Sequence, residues 1–450
     1  MIYTVPQNID QDKIFIVKRS ELEGRLEPTF YKPSIACLEN KIRSLATKRI
    51  RHYALSFAGG ATPQKSGGDS FYSDSENGIP FLRVQNLQTT GELSLDGCIY
   101  INEDTHSGLL KRSQVSEGDL LIKITGVGRM AIASVAPKDF IGNTNQHMVV
   151  VKTGNAAISK YLAHYLNLDI IEKIASRHST GGTRPALDYP SLKNIPIIEG
   201  IDFSPIDDAI KEKQAKEKEA QQLLESIDGY LLNELGITIP NIEDKLENRI
   251  FLSSFHKIEG NRIDPIFSLY FGKNVYSDKY ENTNLNFVAH ILKGNALSSS
   301  NVEVGEIPVI AGGQTSPYSH NQANYDGNVI TVSASGAYAG YVWYHDYPIY
   351  ATDCCVIFSK EESRFMTRYL YEVLRLQQNA IYRLQTGAAQ PHVYATDLQM
   401  LNIPIISIDK QQEIVDYIAI IRNKVTALQK EGKAILENAK QEVEQMVIGE

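Results

Sequence analysis

Two loops about two hundred residues apart carry side chains suited to contacts with nucleic acid. The first sequence is RHSTGGTRPALDYPSLKNIPII, from Arg177 to Ile198, and the second is RLQTGAAQPHVYATDLQMLNIPII, from Arg383 to Ile406. Arginine pairs with guanine or phosphate, glutamine pairs with adenine, and hydroxyl side chains bind either bases or phosphate. The candidate DNA-binding residues are Arg177, Thr180, Thr183 and Arg184 in the first loop and Arg383, Thr386, Gln390 and His392 in the second.

Further candidates follow from residue type and loop position alone. They are Arg83, Gln85, Asn86, Asn145 and Gln146 in the first half of the chain and Gln314, Ser335 and Tyr338 in the second. Three arginines, Arg364, Arg368 and Arg375, share one face of a predicted helix. That face is consistent with a track for phosphates, although a charged face is more often only solvated.

The motifs of catalysis are missing from the sequence. The Thr-Gly-Gly-Thr stretch lacks the Gly-x4-Gly-Lys-Ser/Thr pattern of a triphosphate loop. FAGGATP, from Phe57, resembles a glycine-rich cofactor loop only loosely, and no Asn-Pro-Pro-Tyr or Asp-Pro-Pro-Tyr tetrapeptide accompanies it. No His-Glu-x-x-His or Cys/His cluster predicts a metal site. Asp353 and Cys354 are neighbours in a predicted strand and point to opposite faces, so Cys354 is predicted to be a buried structural thiol.

The two loops belong to a longer duplication of the chain. Five loop residues of the first copy recur at one offset of 206 residues. IFIVKRSELEGRLEPTFY from Ile14 matches IFLSSFHKIEGNRIDPIF from Ile250, GIPFLRVQNL from Gly78 matches GEIPVIAGGQ from Gly305, and EGDLLIKITGVGRMAIA from Glu117 matches YDGNVITVSASGAYAGYV from Tyr325. Pro28 lies 152 residues before Thr180, whereas Pro265 lies 121 before Thr386, so the middles differ by 31. One scaffold with two different surfaces is therefore predicted.

Each copy ends in a predicted long helix. In the second helix, apolar residues recur at alternating spacings of four and three, from Ile414, Ile418 and Ile421 to Ala439. The first helix begins at a predicted N-cap, Ser204, ends at Gly236, and repeats the pattern with an interruption at Lys213 and Glu217. These heptad seams predict an antiparallel helix pair about 46 Å long, a length that would cover roughly 13 base pairs of DNA. The alternative is that each helix packs on its own domain.

Composition sets the class of protein. The chain has 450 residues, 42% of them hydrophobic, and a net charge of −8. No apolar run could span a membrane, no secretory signal is recognisable at the start, and four cysteines do not suggest a disulfide framework, so a cytoplasmic location is expected. A protein that binds DNA tightly on its own is usually basic, so a partner subunit is expected to supply positive charge.

The duplicated order resembles the DNA-specificity subunit of type I restriction–modification systems. The resemblance rests on GGATP from Gly59, on GIPFLRVQNL, and on STGGTRPALDYPSLKNIPII with its degenerate second copy. It implies an α+β fold with two target-recognition domains, related by a pseudo-two-fold axis and separated by an antiparallel pair of spacer helices. The predicted segments are domain 1 at 1–203, spacer helix 1 at 204–237, domain 2 at 238–406 and spacer helix 2 at 407–450.

The same resemblance implies how such a chain works. Each domain reads one half of a split sequence in double-stranded DNA, and the spacer helices dock two adenine methyltransferase subunits, which a restriction–translocation subunit joins. S-adenosylmethionine, ATP and Mg²⁺ would then bind to the partners, with no catalytic residue, cofactor or metal on this chain. A type IIB-like or methylation-only complex stays open, as do a diverged DNA methyltransferase or nuclease and a helical scaffold that never touches DNA.

Overall fold

A computed structural model of the chain describes residues 5–6, 8–64, 71–239, 245–250, 252, 275–387 and 389–449. Most of the second N-terminal landmark, 250–267, lies outside the described residues, and so does Ala388 of the second loop. The chain forms two compact units. Unit 1 comprises residues 1–215 and 431–450, and unit 2 comprises residues 216–430. Each unit contains helices and sheets, which confirms the predicted α+β class. The four predicted segment boundaries stay predictions.

Unit 1 is built from five helices and eleven strands among its described residues. The helices are α1 (Pro33–Leu45), α2 (Ala156–Leu166), α3 (Asp169–Arg177), α4 (Tyr189–Lys193) and α5 (Ser204–Leu235), the last continuing into unit 2. The strands are β1 (Lys48–Arg49), β2 (Ser56–Gly59), β3 (Tyr72–Ser73), β4 (Ile79–Leu82), β5 (Ile99–Ile101), β6 (Gln114–Ser116), β7 (Leu120–Lys123), β8 (Ala133–Val135), β9 (Ile141–Thr144), β10 (Met148–Lys152) and β11 (Pro196–Ile197).

Two sheets organise unit 1. The first is antiparallel with strand order β2-β10-β7-β8, and the second has the order β3-β5-β4-β9-β6 with β4 and β9 parallel. The runs at 120–122 and 148–151 are apolar at every position because both faces of the first sheet are covered. Leu120 and Val149 pack into the core that contains helix α2, whereas Leu121 and Val150 face a second cluster.

Unit 2 repeats this plan with five further helices or helix portions and eleven strands among its described residues. The helices are α6 (Leu285–Val288), α7 (Thr367–Leu376), α8 (Gln378–Tyr382), α9 (Ala395–Leu398) and α10 (Ile408–Ile448), the last continuing into unit 1. The strands are β12 (Ile237–Thr238), β13 (Tyr276–Ser277), β14 (Asn282–Asn284), β15 (Ala289–Lys293), β16 (Ile307–Ile310), β17 (Ser319–His320), β18 (Val329–Ser333), β19 (Val342–His345), β20 (Tyr350–Ala351), β21 (Cys354–Ser359) and β22 (Asn402–Pro404).

The predicted duplication is present in the strand order. The sheet β15-β21-β18-β19 of unit 2 has the same order and antiparallel pairing as β2-β10-β7-β8 of unit 1. The matched stretches from Gly78 and Gly305 form β4 and β16, and each pairs in parallel with a later strand, β9 or β20. The central segments of the two copies differ as predicted, because the five-stranded sheet of unit 1 corresponds to a three-stranded sheet, β17-β16-β20, in unit 2.

Within unit 2, helices α5 and α10 pack against each other in opposite directions. Lys410 pairs with Glu234 at 2.8 Å, and Lys424 pairs with Glu219 at 2.9 Å, so the contacts advance in opposite senses along the two helices. The predicted seam of α10 is buried at Ile414, Ile418, Ile421, Val425 and Leu428. The antiparallel seam is therefore confirmed inside unit 2. In the part of α10 that belongs to unit 1, Leu436 is buried, whereas the sequence predicts Ile435 at that seam position.

The ends of helix α5 test the predicted caps. Ser204 is the first helical residue rather than the cap, and the Asp202 carboxylate accepts hydrogen bonds from the Ser204 backbone N–H at 2.9 Å and hydroxyl at 2.8 Å. The predicted start was thus late by one residue, and Asp202 forms a local side-chain-to-backbone turn with Ser204 rather than an N-cap. Gly236 has φ +57° and ends the helix as predicted.

Replacing Gly60 or Gly294 with alanine is expected to destabilise the corresponding unit. A Cβ at Gly60 would lie 2.0 Å from the Thr144 carbonyl oxygen, and one at Gly294 would lie 2.1 Å from the Thr352 oxygen. Both obstacles are backbone, so the cost is about 1–3 kcal/mol or more. Urea unfolding followed by circular dichroism measures it. Gly182→Ala is the control, because nothing lies within 4 Å of that Cβ; equal midpoints for all three variants would contradict the prediction.

Candidate nucleic-acid interface

In unit 1 the predicted loop packs against the end of the first sheet where β7 ends and β10 begins. Met148 pairs with Lys123 at this end, and the Ile124 N–H donates to the His147 carbonyl at 2.9 Å. The loop extends the sheet because the Leu187 N–H donates to the Ile124 carbonyl at 2.8 Å. The Gly126 N–H donates to the Pro185 carbonyl at 3.0 Å. Backbone bonds to Ile124 and Gly126, just after β7, thus fix the loop at this end of the sheet.

The loop is closed by a pair of backbone bonds between Thr180 and Ala186. The Thr180 N–H donates to the Ala186 carbonyl at 2.9 Å, and the reverse bond measures 2.8 Å. Gly181 turns the chain with φ +98°, a region that side chains other than glycine rarely adopt. Thr180, Thr183 and Arg184 are exposed on this closed loop. The first glycine therefore has a conformational role, while the side chains that follow it face solvent.

Four polar side chains, Thr62, Gln146, His147 and Arg184, form what we call the unit 1 cluster. The Thr62 hydroxyl donates to Gln146 Oε1, and His147 Nε2 lies 3.4 Å from Gln146 Nε2 and 3.4 Å from Arg184 Nη2. Partial burial lowers the pKa of His147, and the charge of Arg184 lowers it further. The imidazole is therefore neutral at pH 7 and can accept from the guanidinium. The cluster presents several hydrogen-bond donors beside one another.

The second loop has the same backbone closure within unit 2. Thr386 and His392 exchange backbone bonds of 2.9 Å and 2.8 Å, and Gly387 has φ +95°. The Gly336 N–H donates to the Pro391 carbonyl at 3.0 Å, and the Val393 N–H donates to the Ala334 carbonyl at 3.0 Å. The degenerate second copy of the motif therefore keeps the geometry of the first, because the bonds involve backbone atoms.

The side chains of the second loop end differ from those of the first. The Ser335 hydroxyl donates to an Asp353 carboxylate oxygen, and Ser335 pairs with His392 in an isolated bridge. The His392 ring stacks at 16° to the Tyr394 ring, with centroids 6.1 Å apart. We call Ser335, Asp353 and His392 the unit 2 cluster. Gln390 is exposed on the second loop itself, where Thr386 is partly exposed. Gln314, Tyr338 and Arg383 are exposed in other segments of unit 2.

The predicted DNA-binding residue Arg177 is engaged in contacts within unit 1. Its side chain is 12% exposed, Nε donates to the Phe30 carbonyl at 2.6 Å, and Nη1 pairs with Glu39 at 2.5 Å. The guanidinium also covers the Phe30 ring at 4.5 Å. These contacts join helix α3 to helix α1 and the segment before it. In folded unit 1 the Arg177 guanidinium is therefore occupied by these internal contacts.

Two asparagines are also removed from the candidate interface by burial. Asn86 is fully buried; its Oδ1 accepts from the Arg83 N–H at 2.8 Å and its Nδ2 donates to the Ser94 carbonyl at 2.8 Å. Asn145 is 7% exposed, and its Oδ1 accepts from the His147 N–H at 3.1 Å. Arg83 is half-buried and donates to the Gly97 carbonyl at 2.8 Å. Only Gln85 of this turn is exposed.

The predicted phosphate track at Arg364, Arg368 and Arg375 is wrong. Arg368 and Arg375 lie 3.3 Å and 3.7 Å from the carboxylate of Glu372, which is fully buried. Arg375 also pairs with Asp228. Arg364 precedes helix α7 and lies over the Phe365 ring at 5.9 Å. These arginines balance internal carboxylates or cover an aromatic ring rather than form an open cationic stripe.

The predicted structural thiol is confirmed. Cys354 is fully buried, and burial raises its pKa to about 12. The pKa of Cys355 rises to about 11 for the same reason. Among the residues that the structure describes, no group of three or more His, Cys, Asp or Glu side chains could hold a metal ion. Within those same ranges, no helix is long and apolar enough to cross a membrane.

Three residues of the two clusters, Thr62, His147 and Asp353, were not among the DNA-binding residues predicted from the sequence. His147 directly precedes the apolar run of β10, and Asp353 directly precedes that of β21. A polar residue just before a buried strand lies at the sheet end, so this position is a usable signal. Thr62 follows β2, the neighbour of β10 in the sheet, and carries the same signal.

The family model described as the type I restriction modification DNA specificity domain matches residues 56–198 and 277–438. A search of curated proteins gives no match.

Similar solved structures include the S subunit of a type I restriction-modification system from M. genitalium, at 14% identity, covering 88% of this chain and 95% of that chain, TM-score 0.43. A structure concerned with complex assembly of the type I R-M system has 15% identity, coverages of 89% and 95%, and TM-score 0.46. The HsdS subunit from Thermoanaerobacter tengcongensis has 14% identity, coverages of 89% and 95%, and TM-score 0.34.

Proposed function

Since the chain belongs to the type I restriction modification DNA specificity family, we propose that it recognises an asymmetric, two-part sequence in double-stranded DNA. Each unit reads one half through the loop end of its four-stranded sheet. The loops at 180–186 and 386–392 form part of that surface in unit 1 and unit 2, respectively.

The observation that carries the proposal is one scaffold with two different surfaces. The strand order of the four-stranded sheet and the loop closure are the same in both units, whereas the exposed side chains at the loop ends differ. Arg184 and His147 lie at the loop end of the sheet in unit 1, whereas Ser335 and Asp353 lie at the loop end of the sheet in unit 2. Base recognition depends on the donors and acceptors offered to the groove. Unlike surfaces on like scaffolds therefore support an asymmetric target.

We further propose that the chain directs catalysis carried out by other subunits. Two adenine methyltransferase subunits would dock on helices α5 and α10, restriction–translocation subunits would join them, and S-adenosylmethionine, ATP and Mg²⁺ would bind to those partners. The net charge of −8 supports this division, because a chain with that charge attracts DNA only weakly. A partner that encloses the DNA would supply the cationic surface.

The direct test is to map methylated adenines across the genome in strains with and without this chain. The expected result is a split motif with a fixed gap that is methylated only when the chain is present. Identical methylation in both strains, or a continuous motif, would contradict the proposal. Saturable binding of S-adenosylmethionine by the isolated chain would contradict the assignment of methyl transfer to a partner.

Replacing Arg184 with alanine is expected to weaken specific binding about 5- to 150-fold, the usual range for one arginine–base pair. The reason is that Arg184 is exposed on the closed loop and touches His147. Competition binding to wild-type and scrambled sites measures the effect. Lys138→Ala removes one charge beyond β8, near the other end of the sheet, and serves as the control. An equal loss with both variants would mean that only net charge matters.

A further inference from the structure

The backbone bonds of the two loop ends place His147 and Asp353 at the same position of the fold. In unit 1 the Ile124 N–H donates to the His147 carbonyl at 2.9 Å, and in unit 2 the Ala334 N–H donates to the Asp353 carbonyl at 3.2 Å. Ile124 in turn accepts from Leu187, as Ala334 accepts from Val393. Two successive backbone bonds are therefore the same in the two units, and they identify His147 and Asp353 as equivalent residues.

Equivalent positions in the two units carry opposite hydrogen-bonding character. In unit 1, His147 lies against the Arg184 guanidinium, which only donates. In unit 2, the same position is an exposed carboxylate, which only accepts, and its neighbour Ser335 donates to it. The offset of 206 aligns Arg184 with Gln390, so the arginine has no cationic counterpart in the second loop. The two surfaces cannot bind the same base edge.

A carboxylate in a DNA-facing surface has few favourable partners. Phosphate oxygens repel it, guanine N7 and O6 only accept, and the exocyclic amino groups of cytosine and adenine donate. Adenine is read best by an amide that both donates and accepts, which a carboxylate does not do. Ser335 bonds Oδ2 of Asp353, and no donor among the described residues contacts Oδ1. Cytosine N4 is thus the partner that fits Asp353.

We propose that this shared position sets the base preference of each unit: Asp353, oriented by Ser335, reads a cytosine, and Arg184, positioned by His147, reads a guanine. The inference rests on the proposed function and assigns bases to the two half-sites. Asp353 is the more informative residue of the two, because a carboxylate is repelled by phosphate and can contribute only through a base. Ser335 is a positioning residue, since it acts on the base only through Asp353.

The test is methylation mapping in strains that carry the full chain with Asp353→Asn. Asparagine keeps the side-chain shape and an oxygen for the Ser335 hydroxyl, but its amide both donates and accepts and therefore suits adenine. The expected result is that one position in one half of the motif changes from cytosine to adenine, with a preference altered about 5- to 150-fold. The other half keeps its sequence. Asp326→Asn, on an exposed carboxylate before β18, serves as the matched control and leaves the motif unchanged.

The outcomes separate this inference from the proposed function. If the wild-type strain shows no split motif, the proposed function itself fails. If the split motif exists but Asp353→Asn leaves every position unchanged, only this inference is overturned. A second variant, Ser335→Ala, keeps the carboxylate and is expected to relax the same single position. Uniform loss of methylation in both variants, with the urea midpoint unchanged, would mean that Asp353 and Ser335 support binding without discriminating between bases, and would overturn the inference.

Discussion

Replacing Glu372 with alanine is expected to lower the free energy of unfolding of unit 2 by about 3 kcal/mol, the lower end of the range for breaking a buried ion pair. The Glu372 carboxylate is fully buried and accepts from Arg422 at 2.5 Å and 2.7 Å. Arg368 and Arg375 lie within 3.7 Å of it. Alanine would leave three guanidinium groups facing one another. Their side chains are about a quarter exposed, so water offsets part of the loss.

The measurement uses the single tryptophan of the chain, Trp343, which lies in β19 of unit 2. Its fluorescence reports urea unfolding of that unit, and the midpoint should fall with little change in slope. Glu219→Ala is the matched control, because it breaks an exposed ion pair with Lys424 and should barely move the midpoint. If the urea midpoint of Glu372→Ala equals that of the control, the Glu372 carboxylate does not stabilise unit 2 by pairing with the three arginines.

Replacing Glu39 with alanine is expected to destabilise unit 1 by about 3–5 kcal/mol. The Glu39 side chain is 3% exposed and pairs with Arg177 at 2.5 Å, with Arg43 at 2.6 Å and with His178 at 2.8 Å. Removal of the carboxylate would leave the largely buried Arg177 guanidinium with the Phe30 carbonyl and ring as its partners among the described residues. Hydrogen exchange at the amides of helices α1 and α3 measures the loss of protection.

The same carboxylate makes the stability of unit 1 depend on pH. Burial would raise the pKa of Glu39, but the hydrogen bonds and charges of His178 and Arg43 outweigh burial and lower the pKa to about 2. A pKa below the unfolded value means that Glu39 contributes its full stability above about pH 4.5. That contribution is lost as the pH falls towards 2.

Glu39→Gln is expected to flatten this part of the pH profile while it keeps the side-chain shape. Urea midpoints measured between pH 2 and pH 6 for both proteins give the difference. The Arg177→Ala variant should lose protection in the same two helices, and the double variant should lose less than the sum, because the residues share one network. Additive losses, or an unchanged acid limb in Glu39→Gln, would contradict this account.

The repeats and the helix seams could be predicted from the sequence because local pattern encodes them. A heptad reports which residues face a partner helix, and Ile414 to Leu428 are buried as their spacing predicts. The matched stretches from Gly78 and Gly305 form equivalent strands because apolar runs bounded by glycine are strand signals wherever they occur. Glycines at 181 and 387 mark the two loops because the turn requires positive φ there.

Only the tertiary structure decided which polar residues of those loops are available to DNA. Arg177 and Arg184 lie seven positions apart and look alike in the sequence, yet one is buried against Glu39 and the other is exposed beside His147. The partner of Arg177 lies 138 residues earlier in the chain. Periodicity carries no information on contacts between such distant segments. The exposure of a side chain is set by those contacts, and for that reason it emerges only when the chain is folded.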